Sequence, residues 1–167
     1  MYAGHRLLEM LEENGDMIRE VPPKPRTRPL NASRKRAKKV VRLNNVSKLK
    51  KELDAVFSKY IRAKYPKVCY TCKREGKTLQ CGHFVTRNHL ATRWLESNCR
   101  PQCVGCNLYG GGKPFDFEEN LVKEIGADAV QGLKDVRHKI MKLDRVWYEQ
   151  KIEEVKGKLA LLVTNKV

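Results

Sequence analysis

The chain has 167 residues, 41% of them hydrophobic, and carries 35 Lys and Arg against 19 Asp and Glu, for a formal net charge of +16. That length gives room for one modest domain with extensions, and that charge calls for a polyanionic partner, because each neutralised phosphate releases a counterion. A membrane is the rival polyanion, but there is no long apolar span, and Glu9, Glu12, Glu13 and Asp16 stand where a secretory signal would be poor in acid. The expectation is a soluble, cytoplasmic nucleic-acid-binding protein with no membrane partner.

In chain order, residues 1–20 form an N-terminal arm. Leu7, Leu8, Leu11 and Ile18 would make one stripe of a helix, with Asn14-Gly15 as a weak point. A frayed arm that orders on a partner suits the same residues. Residues 21–45 read as a basic linker. It opens Pro22-Pro23-Lys24-Pro25, has a further proline at Pro29, and lies in a stretch with no acid between Glu20 and Glu52. Prolines and like charges both oppose compaction, so the linker is expected to be disordered when free. Its Arg34, Lys35, Arg36, Lys38 and Lys39 are candidates to lie along phosphates, adding affinity without base readout.

Residues 46–66 are the clearest helix. Leu49, Leu53, Val56, Phe57, Tyr60 and Ile61 recur at helical spacing with lysines opposite, Ser47 can cap the start, and Pro66 ends the segment. Residues 67–114 should hold the core of the molecule. Lys67 to Lys73 is expected as one strand and Leu79 to Val85 as another. Trp94 and Leu95 are expected in a second hairpin arm, and a short helix near Val104 to Tyr109 is stopped by Gly110-Gly111-Gly112. Residues 115–167 are helical in pattern, with helices over Glu118–Ile125, Asp128–Lys139 and Asp144–Val163. They would either cover the core or form a dimer interface.

Six cysteines without an export signal suit metal better than disulfides. Cys69/Cys72 and Cys103/Cys106 are two C-x2-C pairs. Each short turn presents two sulfurs, and two turns close a tetrahedral zinc site. A different partition uses Cys69, Cys72, Cys81 and His83 for one zinc and Cys99, Cys103, Cys106 and His89 for a second, in a non-catalytic module. Outside that partition Cys81 and Cys99 are simply buried small residues.

The residues between and just after the two pairs carry a family resemblance. Gly82-His83, Asn98 five residues before a C-x2-C, and Asn107 directly after it resemble the HNH nuclease motif, here in H-N-N form. The fuller run C-G-H-F-V-T-R…R-W…S-N-C…Q-C-V-G-C-N…G-G-G resembles the phage NinG/Rap recombination endonucleases, from about Val68 into the C-terminal helices. Phage endonuclease VII is a more distant likeness. The resemblance implies an α+β fold: a small zinc-stapled ββα-metal (HNH) core with flanking α-helices and the basic linker before it. It also implies a metal-dependent endonuclease cleaving branched DNA such as Holliday junctions. The chain would then be a homodimer working beside phage or host recombination proteins in the host cytoplasm. An HNH nuclease for ordinary duplex and a non-catalytic zinc DNA-binding module are the competing readings.

Elementary chemistry agrees with a nuclease. Phosphodiester hydrolysis needs an activated water and neutralisation of transition-state charge; a neutral imidazole can take the water's proton near pH 7, and a divalent ion can stabilise the phosphoryl and leaving oxygens. His83 is the expected base. By resemblance, Asn98 orients His83 and Asn107 holds a catalytic Mg²⁺ or Mn²⁺, for which oxygen ligands are the better match, beside the structural zinc. Many HNH enzymes have an aspartate where this chain has Gly82. Either the ion keeps more water, or His89 or Asp116 supplies the missing ligand. Arg87, Arg93, Arg100 and Lys113 surround the site in sequence and are candidate DNA phosphate contacts.

Overall fold

The structure, a computed structural model, describes residues 33–76 and 78–164, and within 33–45 it describes the backbone. The expected N-terminal arm and the proline-containing part of the linker lie outside the described residues. The first element, α1, runs from Ser33 to Lys64. The thirteen residues 33–45, expected in the linker, are therefore helical. The reason is in the composition: after Pro29 there is no Pro or Gly before Pro66, and Arg, Lys and Ala are good helix formers whatever their net charge. The helix stops just before Tyr65-Pro66, as the restricted backbone ahead of a proline requires.

Two strands follow, β1 (Leu79–His83) and β2 (Cys99–Cys103), paired antiparallel with His83 opposite Cys99, Gln80 opposite Gln102 and Gly82 opposite Arg100. The strand expected at 67–73 is reduced to a single bridge, Val68 to Glu75. The first C-x2-C must bend sharply to aim two sulfurs at one point. Lys73 accordingly sits in the left-handed region (φ 58°), and the Lys73 amide donates to the Cys69 carbonyl at 2.9 Å. Trp94 ends a run of turns and Leu95 is the extended residue that enters a 3₁₀ turn over Glu96–Asn98, so neither forms a hairpin arm. After β2 comes a one-turn π-helix, Gly105–Tyr109, where a short helix is expected. Three helices complete the chain: α2 (Pro114–Ile125), α3 (Ala127–Val136) and α4 (Arg145–Thr164). Gly126 joins α2 to α3 at φ 89°, a conformation that favours glycine.

Three clusters hold these elements together. The largest joins α1 to α4 and to the sheet: Leu53, Phe57, Tyr60 and Ile61 meet Trp94, Cys99, Tyr148, Ile152 and Val155. Burial of each such large side chain contributes about 1.5–3 kcal/mol. The second gathers Val85, Phe117, Leu121, Val130 and Leu133, so α2 and α3 seat the loop after β1. The third is small, Cys69, Leu79 and Cys106 with Cys72 and Cys103 against them. The molecule is thus α+β, a two-stranded sheet between helices. No helix among the described residues is long and apolar enough to cross a membrane.

Candidate metal centre and cavity

Cys69 and Cys72 come from the turn before β1, Cys103 from the end of β2 and Cys106 from the π-helical turn, and their sulfurs all lie within 4.8 Å of one another. Cys72 Sγ and Cys103 Sγ are 3.8 Å apart. A tetrahedral ion with metal–sulfur bonds of about 2.3 Å separates its sulfurs by about 3.8 Å, so the spacing matches zinc. Donors already favour thiolates here: Arg74 Nε donates to Cys72 Sγ at 3.5 Å and the Cys106 amide to Cys103 Sγ at 3.4 Å. Burial raises the Cys69 thiol, but the backbone at Cys103, the Thr71 hydroxyl and the backbone at Cys72 and Thr71 outweigh it and hold the group at about 6. The Arg74 side chain likewise holds Cys72 down. The Thr71 hydroxyl favours the Cys106 thiolate, but burial and the sulfurs of Cys103, Cys72 and Cys69 outweigh it and push that thiol up to about 11. Four thiolates this close therefore need a cation between them, and a soft divalent ion is the natural complement.

A cavity of about 720 Å³ opens between α1, β1 and the turn after β2. Lys51, Asp54 and Ser58 line it from α1, Gln80, Cys81 and His83 from β1, and Asn107 with Leu108 from the π-helical turn. His83 is half-buried, with Nε2 3.1 Å from the Arg93 carbonyl. Burial lowers its pKa below the usual imidazole value, and the Arg93 carbonyl only partly opposes this. The ring is therefore neutral at pH 7. A carbonyl can only accept, so Nε2 carries the proton and Nδ1 keeps the lone pair.

Asn98 is fully buried and is spent on the loop. Its Oδ1 accepts from the Val85 amide at 2.7 Å, and its Nδ2 donates to the Val85 and Thr92 carbonyls, both at 2.9 Å. Instead of bonding His83 directly, it fixes the loop whose Arg93 carbonyl bonds His83. Asn107 Nδ2 donates to Gln80 Oε1 at 2.7 Å, which leaves Oδ1 as an oxygen donor beside the cavity.

The basic residues divide sharply. Arg87 is exposed and lines the cavity, and Lys113 is exposed just beyond Gly112 on its rim. Arg93 and Arg100, expected to contact phosphates, are buried instead. Arg93 forks onto Asp54, Nε to Oδ1 at 2.9 Å and Nη2 to Oδ2 at 2.6 Å, while Trp94 Nε1 donates to the same Oδ1 at 3.0 Å. Arg100 forks onto Glu124, with Nη2 to Oε1 at 2.7 Å, and lies over the Tyr65 and Tyr70 rings. Both guanidiniums are committed to carboxylates inside the molecule. His89 is not at the cavity: its Nδ1 is 2.9 Å from the Arg137 carbonyl and its ring meets His138 edge-on. Asp116 is exposed in the first turn of α2, also away from the cavity lining. The side chains of Arg34, Lys35, Arg36, Lys38 and Lys39 lie outside the described residues. The two-zinc partition is not what the fold assembles, since Cys81, His83 and Cys99 form a separate group.

The bacteriophage Lambda NinG protein family model matches residues 12–165. The chain belongs to the NinG family. The match covers the cysteine cluster, the cavity and every helix from α1 to α4. No curated protein and no solved structure matches this NinG-family chain.

Sequence reasoning missed Asp54, Gln80 and Gln102. Asp54 sits in α1 between Leu53 and the apolar Ala55-Val56-Phe57 run, and an acid at that place, one turn from a buried face, is the signal that could have marked it. Gln80 and Gln102 carry no one-dimensional signal, because their pairing exists only in the strand register.

Proposed function

We propose that this NinG-family protein is a metal-dependent endonuclease that hydrolyses phosphodiesters in branched DNA, such as Holliday junctions, during phage recombination. The observation that carries the reading is His83: a neutral imidazole with one nitrogen anchored on the Arg93 carbonyl, lining a cavity that also holds Asn107, Lys51 and Arg87. In this reading Lys51 and Arg87 draw the scissile phosphate into the cavity. His83 Nδ1 accepts the proton of a water as its oxygen attacks phosphorus, and the 3′ oxygen departs.

Asn107 would hold Mg²⁺ or Mn²⁺ through Oδ1. Asp54, the one carboxylate among the described residues that line the cavity, is already tied to Arg93 and Trp94, so a hard ion that keeps most of its water fits this sparse donor set. When bound, such an ion supplies charge neutralisation at the phosphoryl and leaving oxygens. The four-cysteine cluster serves a different purpose, stapling β1 and β2 to the turns beside them. The basic start of α1 adds sequence-independent phosphate affinity, and resolution of a four-way junction by two cuts calls for a twofold dimer.

The test incubates the purified protein with end-labelled four-way junction, flap and matched linear duplex, with Mg²⁺, Mn²⁺ or EDTA, beside His83→Ala. Metal-dependent cutting of the branched DNAs alone, lost in the variant with junction binding retained, is the expected result. Equal cutting of linear duplex would move the assignment to a general HNH nuclease. Binding without scission in either metal would make the protein a DNA-binding zinc module.

A further inference from the structure

Cys81 and Cys99 have no part in the proposed hydrolysis, yet the fold brings both to His83. Cys99 lies directly opposite His83 in the strand register, and Cys81 is two residues before His83 on the same strand and face. One nitrogen of the imidazole and the two sulfurs lie within 4.8 Å of one another. This group is distinct from the four-cysteine cluster, and its three ligand atoms come from the two strands of one rigid ladder. From this geometry we infer that Cys81, His83 and Cys99 form a second metal site, for a thiophilic divalent ion such as Zn²⁺, with a fourth position facing the cavity.

Several features fit a metal centre better than three incidental neighbours. His83 Nε2 is anchored on a backbone carbonyl, the hydrogen bond that metal-bound imidazoles characteristically make with their second nitrogen. That same Arg93 carbonyl is 3.9 Å from Cys99 Sγ. It is fixed in turn by the Asn98 bonds to Val85 and Thr92 and by the Arg93–Asp54 fork, so the outer shell is rigid. Cys81 and His83 both line the cavity, which leaves one side of the triangle open to water. Three protein ligands with one open position is the pattern of an exchangeable zinc ion, whereas the four-cysteine cluster is closed. Two thiolates exclude Mg²⁺ as the preferred occupant.

Loading is balanced by deprotonation: the ion takes the Cys81 and Cys99 thiolates and the His83 lone pair, and two thiol protons pass to solvent. The lone pair used is the one that would accept the water's proton in hydrolysis. A thiophilic ion at this site therefore competes with the base. The binding itself follows from the geometry alone and stands whether or not the chain is a nuclease.

The test is metal stoichiometry on the full chain with all thiols reduced, using Co²⁺ absorbance and Zn²⁺ competition against a chromophoric chelator. Two equivalents per chain are expected. Cys81→Ala should bind one, and so should His83→Gln, with far-UV circular dichroism unchanged. Across the two ions six thiolates contribute to the cobalt charge-transfer band, and Cys81→Ala with Cys99→Ala should leave four. Cys81 is only half-buried, so its single variant keeps the test decisive should Cys99→Ala misfold. One equivalent in the reduced wild-type chain would overturn the inference, as would two equivalents persisting in Cys81→Ala.

Discussion

His83 and Asp54 show how much of the chemistry is set by single contacts. For His83, burial holds the folded pKa below the free value of about 6.5. The base acts when neutral, so activity falls as pH drops through the lowered pKa and is flat above it. The expected profile of kcat/KM against pH, measured on the four-way junction, has its acid limb below about pH 6.5. A limb centred above pH 7 would remove His83 as the base. Asp54 works at one remove. It accepts from Arg93 and Trp94, and Arg93 presents the carbonyl that holds His83. Asp54→Ala leaves the buried Arg93 guanidinium unpaired and should cost about 3 kcal/mol in urea unfolding of the metal-loaded protein. Arg93→Ala should cost less, because the abandoned Asp54 side chain is 34% exposed and can hydrate.

At the scale of the element, the two-stranded sheet explains the glycine that stands where many HNH enzymes have aspartate. A Cβ on Gly82 would lie 2.1 Å from Gln102 Oε1 and 2.6 Å from its Cδ. Gln102 is fully buried, and its Nε2 donates to the Gly112 carbonyl at 2.7 Å. The neighbouring strand therefore fills the space an aspartate side chain would need. Gly82→Ala should destabilise by about 1–3 kcal/mol through overpacking, and Gln102→Ala in the same chain should recover most of that loss. Equal stability of Gly82→Ala and wild type in thermal unfolding would show that Gln102 moves aside freely. The cavity gains its other wall from α1, which faces Lys51, Asp54 and Ser58 toward β1 while Leu53, Phe57 and Ile61 enter the core.

On the scale of the whole molecule, stability is divided between the α1–α4 core and the four-cysteine staple. The region around that staple buries few large side chains of its own: among the described residues its cluster holds, beyond the cysteines, Leu79 alone. A structural zinc contributes about 10–16 kcal/mol in small domains, comparable with the whole stability of about 5–15 kcal/mol of a folded protein. Chelation should therefore open residues 67–113 to protease while leaving the α1–α4 pair, held by Phe57, Ile61, Tyr148 and Ile152, largely helical by circular dichroism. An unchanged digestion pattern after zinc removal would show that the staple adds nothing to this fold.

Features that depend on local spacing and covalent identity were legible along the chain. The two C-x2-C turns predict one four-thiolate cluster, the α1 periodicity predicts its buried face, and the run from Cys81-Gly82-His83 through Cys106-Asn107 to Gly112 predicts membership of the NinG family. The three C-terminal helices follow from their own patterns, within a few residues at each end. Contacts between partners far apart in the chain arise only once the elements pack. Arg93 and Arg100 look like surface cations in one dimension, and only the fold brings Asp54 and Glu124 to them, 39 and 24 residues away. His89 is turned to Arg137 by the α3 packing, 48 residues on. Cys81 and Cys99 become neighbours of His83 through antiparallel register, which no local pattern encodes. Periodicity reports which way a side chain faces along its own element, whereas an ion pair or a ligand triangle requires two elements to meet.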